Sequence, residues 1–259
     1  INDPNNKNWL NQIAIRQQAD WEIQDLKRIK QIEEKKLVSR SEQRSFYLQN
    51  IERLRQGEYG VIIKPAKVYL KQFSDISKET PAHQRISDWI GCDISEICME
   101  GFEAFLMQTP PKVTAQDIAN ILPQGKFYEA SHILIVAIAE RIRKERGLAD
   151  LPNERLLAGY YSLLHIRHDT YAGIPNIFEI IENEIKHREI FVEGLKTFYE
   201  PQFSARSEHI DGLSRLIRMS ENNAIAIDLA KQWLKNYPDM PINIETELLD
   251  CLIQTGQYD

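Results

Sequence analysis

The chain has 259 residues, 27% of them Asp, Glu, Lys or Arg and 42% apolar, with a formal net charge of −6. That length accommodates one large or two small domains, and the Leu, Ile, Ala, Glu, Lys and Arg bias favours helix. The balance of charge argues against wholesale electrostatic binding of nucleic acid or an anionic membrane, and the longest wholly apolar stretch, Ile133 to Ala139, is too short to cross a bilayer.

The first predicted element dominates the N-terminal part. Residues Asn5 to Gln56 contain no glycine and no proline. A continuous helix of that length spans roughly 75 Å at about 1.5 Å per residue. Asp3 suits its N-cap and Pro4 its first position, and Trp9, Leu10 and Ile13 supply an apolar anchor. From Asp20 to Lys36 the apolar side chains thin to Trp21, Ile23, Leu26, Ile29 and Ile32. They hold no regular heptad. Asp25/Arg28 and Glu33/Lys36 are opposite charges three apart, each worth a few tenths of a kcal/mol. Apolar density recovers at Phe46, Tyr47, Leu48, Ile51 and Leu54. A break at Leu37-Val38-Ser39 would fold the strut into a hairpin, and Gly57 fits a helix stop. Residues 1–57 are therefore expected to form a long charged helix or helical hairpin, and 58–259 a second domain.

Beyond Gly57 the punctuation becomes frequent. Lys64-Pro65 is expected to open a helix through Phe73, and Thr80-Pro81 one that Gly91 ends. Asp93 is expected to cap a helix to about Gln108. Thr114 and Asp117 form a capping box with Asp in place of Glu, and Pro123-Gln124-Gly125 closes that segment. Phe127 to Arg146, hydrophobic on all sides at Ile133 to Ala139, is expected to lie buried between neighbours, with Gly147 as its stop. Pro152 starts the next helix and Arg167 to Gly173 forms a loop. Pro175 begins a short helix, and Ile185 to Tyr199 follows with Pro201 beyond it. Further helices are expected through Ser207–Ile217, Ala224–Tyr237 and Ile244–Gln254. The one β-like run, Gly60 to Lys64, is short and unpartnered.

These signals predict an all-α protein: a long N-terminal charged helix followed by an irregular α-solenoid or multi-helix array of the HEAT or tetratricopeptide kind, with pairs of about 35 to 45 residues. Leu248 to Ile253 reads as the first helix of a further pair, so the sequence is expected to continue beyond the stretch given.

Chemical motifs are sparse. Gly125-Lys126 lacks the earlier glycine and the following Ser or Thr of a phosphate loop, having Asn120 and Phe127 there. His165, His168 and Asp169 are the nearest approach to a metal-ligand set, without a visible fourth ligand. The other histidines are single, and His132 is expected to hydrogen-bond locally. Cys92, Cys98 and Cys251 are an odd count without a disulfide framework, so reduced thiols and a cytoplasmic location are expected. Cys98 sits among apolar neighbours, as a buried thiol does. Arg141, Arg143, Lys144 and Arg146 form the clearest basic cluster. Four cations at a helix C-terminus also complement its dipole. Tyr160, Tyr161 and Tyr171 read as core before they read as a groove.

The Trp-led, charge-rich helix gives way to Ile51-Glu52-Arg53-Leu54-Arg55-Gln56-Gly57, then to Ala66-Lys67-Val68-Tyr69-Leu70 and the Thr80-Pro81 helix. In this order the chain resembles the helical, HEAT-like C-terminal region of large bacterial P-loop NTPases of the NACHT or STAND type. The resemblance implies a sensor or scaffold arm in bacterial defence or signalling, with the NTPase module elsewhere. Neither Walker motif is present, so no functional residue carries over. The expected function is non-catalytic recognition of a protein partner, or of another domain of the same chain, without cofactor and without membrane association. A nucleic-acid sensor using Arg141 to Arg146 and a metal-dependent enzyme using His165, His168 and Asp169 are the alternatives.

Overall fold

The computed structural model describes residues 20–72, 76–77, 79–165, 174, 177–218 and 223–254. Among them are thirteen α-helices, two short 3-10 turns and no strand. The chain divides into two compact units, residues 1–46 and 47–259.

In the first unit, residues 20–46 belong to a single helix, α1 (Asp20–Gln49). It runs unbroken through Leu37-Val38-Ser39, so no hairpin forms there. The expected cap at Asp3-Pro4 and the anchor at Trp9, Leu10 and Ile13 lie outside the described residues. Only Tyr47, in the last turn, is buried. Nine large hydrophobic side chains of this helix, Trp21 to Leu48, are exposed. Their spacing explains this: with charged residues between them, no single stripe is wide enough to bury.

The second unit opens with α2 (Ile51–Arg55) and α3 (Tyr59–Tyr69). Gly57, at φ +68°, separates them. The Gly57 amide donates to the Leu54 carbonyl and the Glu58 amide to that of Arg53, a Schellman closure that satisfies the carbonyls α2 leaves open. α3 begins at Tyr59, not at Pro65, which sits inside it. The β-like run Gly60 to Ile63 is thus helical; its apolar side chains reach the core, Val61 and Ile62 being buried.

After α4 (Arg85–Ile90) and α5 (Cys92–Met107) come α6 (Ala115–Ile121) and α7 (Ala130–Arg143). Asp93 lies in the first turn of α5, and the N-cap is Gly91. The Thr114/Asp117 capping box is present, each residue bonding the other's backbone N–H. α8 (Asn153–His165), α9 (Ile177–His187) and α10 (Phe191–Ser204) follow, then α11 (Leu213–Arg218), α12 (Asn223–Asn236) and α13 (Ile242–Gln254). Where one helix was expected from Ile185 to Tyr199, the chain turns at Glu189, and Pro201 lies inside α10 rather than beyond it.

Every residue of α7 from Ala130 to Arg141 is buried, because α3, α5, α8 and α9 pack around it. α6 reaches α8 and α10, and α11 to α13 pack on one another. An aromatic chain joins α8 to α12: Tyr161 to Phe198 (4.9 Å between centroids), Phe198 to Tyr199 (5.0 Å) and Tyr199 to Trp233 (5.3 Å). Edge-to-face and tilted geometries suit the ring quadrupoles.

Two local devices close the helices. Lys71, Glu145, Glu189 and Arg206 each adopt positive φ between 54° and 62° at a helix end. Their own amides and those of the next residues, Gln72, Arg146, Ile190 and Ser207, bond back into the preceding turn. Each non-glycine residue in this conformation costs on the order of 1 kcal/mol. The second device is arginine. Arg85 donates to the carbonyls of Tyr69 (2.7 Å) and Thr80 (3.0 Å). Arg155 donates to those of Gln108 and Val113. Arg188 holds those of Leu148 (2.8 Å), Ala149 (3.0 Å) and Leu151 (2.5 Å). One planar fork with five donors in fixed geometry can satisfy several loop carbonyls at once.

Candidate functional site

The basic cluster at the end of α7 is already matched by acids. Arg141 is buried and pairs with Asp150 (2.5 Å) and Glu103 (3.5 Å). Arg143 makes a two-pronged contact with Glu140 (2.8 and 2.7 Å), and Lys144 lies 3.9 Å from the same carboxylate. Arg146 is exposed. Glu140 itself is buried and accepts from the Tyr69 hydroxyl at 2.8 Å. Burial works against its ionised form, but the hydrogen bonds from Arg143 and Tyr69 together with the Arg143 and Lys144 charges outweigh it and hold the carboxyl below the ordinary range. A phosphate approaching Arg141 or Arg143 would have to displace these carboxylates.

His165 is the last residue of α8, and its Nδ1 lies 2.7 Å from Asp211, 46 residues later. His168, Asp169 and Tyr171 lie outside the described residues. Among those described, no group of three His, Cys, Asp or Glu side chains is placed to hold a metal ion. Asp211 was not singled out from the sequence, where it falls inside the helix expected over Ser207–Ile217; that helix begins only at Leu213, leaving Asp211 in the turn before it. Tyr160 and Tyr161 are core residues, bonded to Glu182 (3.1 Å) and the Gly194 carbonyl (2.5 Å). All three cysteines are free thiols, with Cys98 fully buried and Cys92 exposed. Gly125 is the left-handed residue closing the 3-10 turn Leu122–Gln124, a helix-to-helix connection.

His132 departs from expectation. It is buried in α7, its Nδ1 has no hydrogen-bond partner, and its ring stacks on Phe127 at 5.6 Å between centroids. Burial, reinforced by the nearby Lys67 charge and only partly offset by Glu129, pushes its pKa down to about 4. The unfolded chain therefore takes up this proton first as pH falls. Stability from this group is complete above about pH 6.5 and declines between about 6.5 and 4, by up to about 3 kcal/mol. Urea unfolding of wild type and His132→Leu at a series of pH values checks this. The variant is expected to lose the decline in that window and keep the carboxylate-dependent fall at lower pH.

A cleft of about 660 Å³ is lined by the start of α3 (Tyr59, Gly60), the loop after α5 (Gln108, Lys112) and the entry to α7 (Tyr128, Glu129). Its two carboxylates are committed. Arg53 donates to both oxygens of Glu58, through Nε at 2.6 Å and through Nη2. Lys67 Nζ (2.6 Å) and the Tyr59 hydroxyl (3.2 Å) donate to Glu129. These hydrogen bonds hold both carboxyls below their ordinary range, while burial pushes the Tyr59 hydroxyl up. Neither acid carries a proton to give at neutral pH, and Tyr59 is no base. The Gln108 side-chain oxygen is buried here without a hydrogen-bond partner. The lining offers hydrogen bonds to a docked polar group more readily than proton transfer.

Compared with known proteins, the chain matches no protein-family model, no curated protein and no solved structure. No helix among the described residues is long and apolar enough to cross a membrane.

Proposed function

We propose that this chain is a non-catalytic protein-recognition element, a scaffold or sensor arm. The observation that carries the reading is α1: thirty residues, one of them buried, with Trp21 67% and Leu37 66% exposed. Apolar side chains of that size held in water on a regular helix favour association with another protein surface. The second unit is read as an irregular α-solenoid, supported by the packing of successive helices α7 on α8, α8 on α9 and α12 on α13. Packing of α3 on α7 and α6 on α10 is the irregularity. The resemblance to the helical arm of NACHT- or STAND-type bacterial NTPases fits this role and a cytoplasmic setting.

The test is site-specific photo-crosslinking in cells, with the reactive amino acid at Leu26 or Leu37. Ultraviolet-dependent protein adducts are expected at both positions and absent from the same probe at exposed Ile242 of α13. Adduct-free α1 in cells expressing the chain at its native level would overturn the reading.

A further inference from the structure

The charges of α1 fall in alternating blocks. Asp20, Glu22 and Asp25 are acidic; Lys27, Arg28 and Lys30 basic; Glu33 and Glu34 acidic; Lys35, Lys36 and Arg40 basic. Reversing the helix about the midpoint between Lys30 and Gln31 lays each block on one of opposite sign. We infer that α1 pairs antiparallel with α1 of a second copy of this chain. The inference rests on the protein-recognition reading above and names the partner.

The register follows from helix geometry. At about 100° per residue, Asp25, Ile29, Ile32 and Lys36 fall within an arc of about 60°, making one seam. With the two-fold axis at that midpoint, Ile29 meets Ile32 of the second copy and Asp25 meets its Lys36. Symmetry repeats both contacts with the copies exchanged. Arg28 and Glu33 flank the seam on opposite sides. A parallel pair in register would instead set Asp25 against Asp25 and Lys36 against Lys36, so charge selects the antiparallel orientation.

Ile29, Ile32, Glu33 and Lys36 are exposed on α1. Asp25 already bridges Arg28 within the helix at 2.7 Å, yet the two side chains remain 45% and 72% exposed. Such a surface pair contributes little by itself, and the carboxylate keeps acceptor sites for a lysine from the second copy. Two isoleucines per copy make a thin apolar centre, so the dimer is weak and leans on its charge pairs.

Sedimentation of the whole chain over a concentration series tests this. Dimerisation is expected at about 0.05 M salt and is weakened roughly tenfold or more at about 1 M, where the Debye length is about 3 Å. Asp25→Lys and Lys36→Asp are each expected to weaken the dimer roughly tenfold, and the double exchange to restore it to within about threefold. Circular dichroism confirms that the helix persists in each variant. In a Cys92→Ser background, a mixture of Asp25→Cys and Lys36→Cys chains is expected to form the mixed disulfide, while Asp25→Cys alone forms none. A monomer at every concentration in low salt, a dimer indifferent to the charge exchanges, or a disulfide between two copies of Asp25→Cys each sinks the inference. If crosslinks from α1 to a different protein persist alongside any of these results, the recognition reading stands and self-pairing alone is overturned.

Discussion

Gly101→Ala is expected to destabilise the second unit by about 3 kcal/mol or more, although alanine is the better helix former. Gly101 lies inside α5, where it faces the end of α2. A Cβ there would sit 2.1 Å from the Leu54 carbonyl oxygen and 2.8 Å from the Ile62 side chain. The first contact is with backbone, so no rotamer change relieves it, and α2 must part from α5. Gly57 shares the crossing: its own Cβ would lie 2.4 Å from the Gly101 carbonyl. The propensity gain of replacing a helical glycine is only about 1 kcal/mol, so the clash decides the sign. Gly60 is the control. It is also helical, nothing lies within 4 Å of its would-be Cβ, and Gly60→Ala is expected to stabilise by about 0.5 kcal/mol. Urea unfolding followed by the fluorescence of the buried Trp89 and Trp233 measures both. Equal shifts for the two variants would refute the close-approach account.

Arg155→Met is expected to cost about 2–4 kcal/mol. Methionine replaces most of the stem, so the loss isolates the guanidinium. Arg155 is 5% exposed, and its fork serves the carbonyls of Gln108 and Val113 at the two ends of the loop between α5 and α6. Removing it strands polar groups whose return to water the surrounding apolar packing opposes. Burial is also what lowers the arginine's own pKa, with Glu154, 3.6 Å away, acting against that. Arg155→Lys is expected to recover less than half the loss, because one ammonium on a flexible stem does not span two carbonyls. Calorimetry of the three proteins, with amide exchange across residues 108–114, reads the effect. A loss confined below about 0.5 kcal/mol, the usual range for a surface change, would remove the clamp from the account.

The helical character was legible because it is written locally. The Thr114/Asp117 box, the Gly57 stop and the all-round hydrophobicity of Ile133 to Ala139 act within a few residues of themselves. The turn at Glu189 escaped because glycine is the signal for a left-handed helix end, and there a glutamate bears the strain. Pro65 and Pro201 misled for the converse reason: each marks a helix boundary by propensity, yet neighbouring packing keeps the helix going on both sides. Val61, Ile62 and Val68 bury one face of α3, and Leu195, Phe198 and Phe203 do the same for α10.

Arg141 and His165 mark what sequence distance conceals. Asp150, Glu103 and Asp211 reach them from other elements, and nothing in their own neighbourhoods announces it. The amino-acid order alone determined that this chain is helical and that α1 bears alternating charge, since propensity and block pattern are properties of adjacent residues. Only the tertiary structure decided that the basic cluster is matched by acids, that loop carbonyls hang on Arg85, Arg155 and Arg188, and that Gly101 is a contact point. Some of these partners are near in sequence, as Glu140 is to Arg143 and Asp150 to Arg141. But Glu103 at Arg141, the carbonyls held by Arg155 and Arg188, and Leu54 at Gly101 come from tens of residues away, where desolvation and steric contact outweigh local preference.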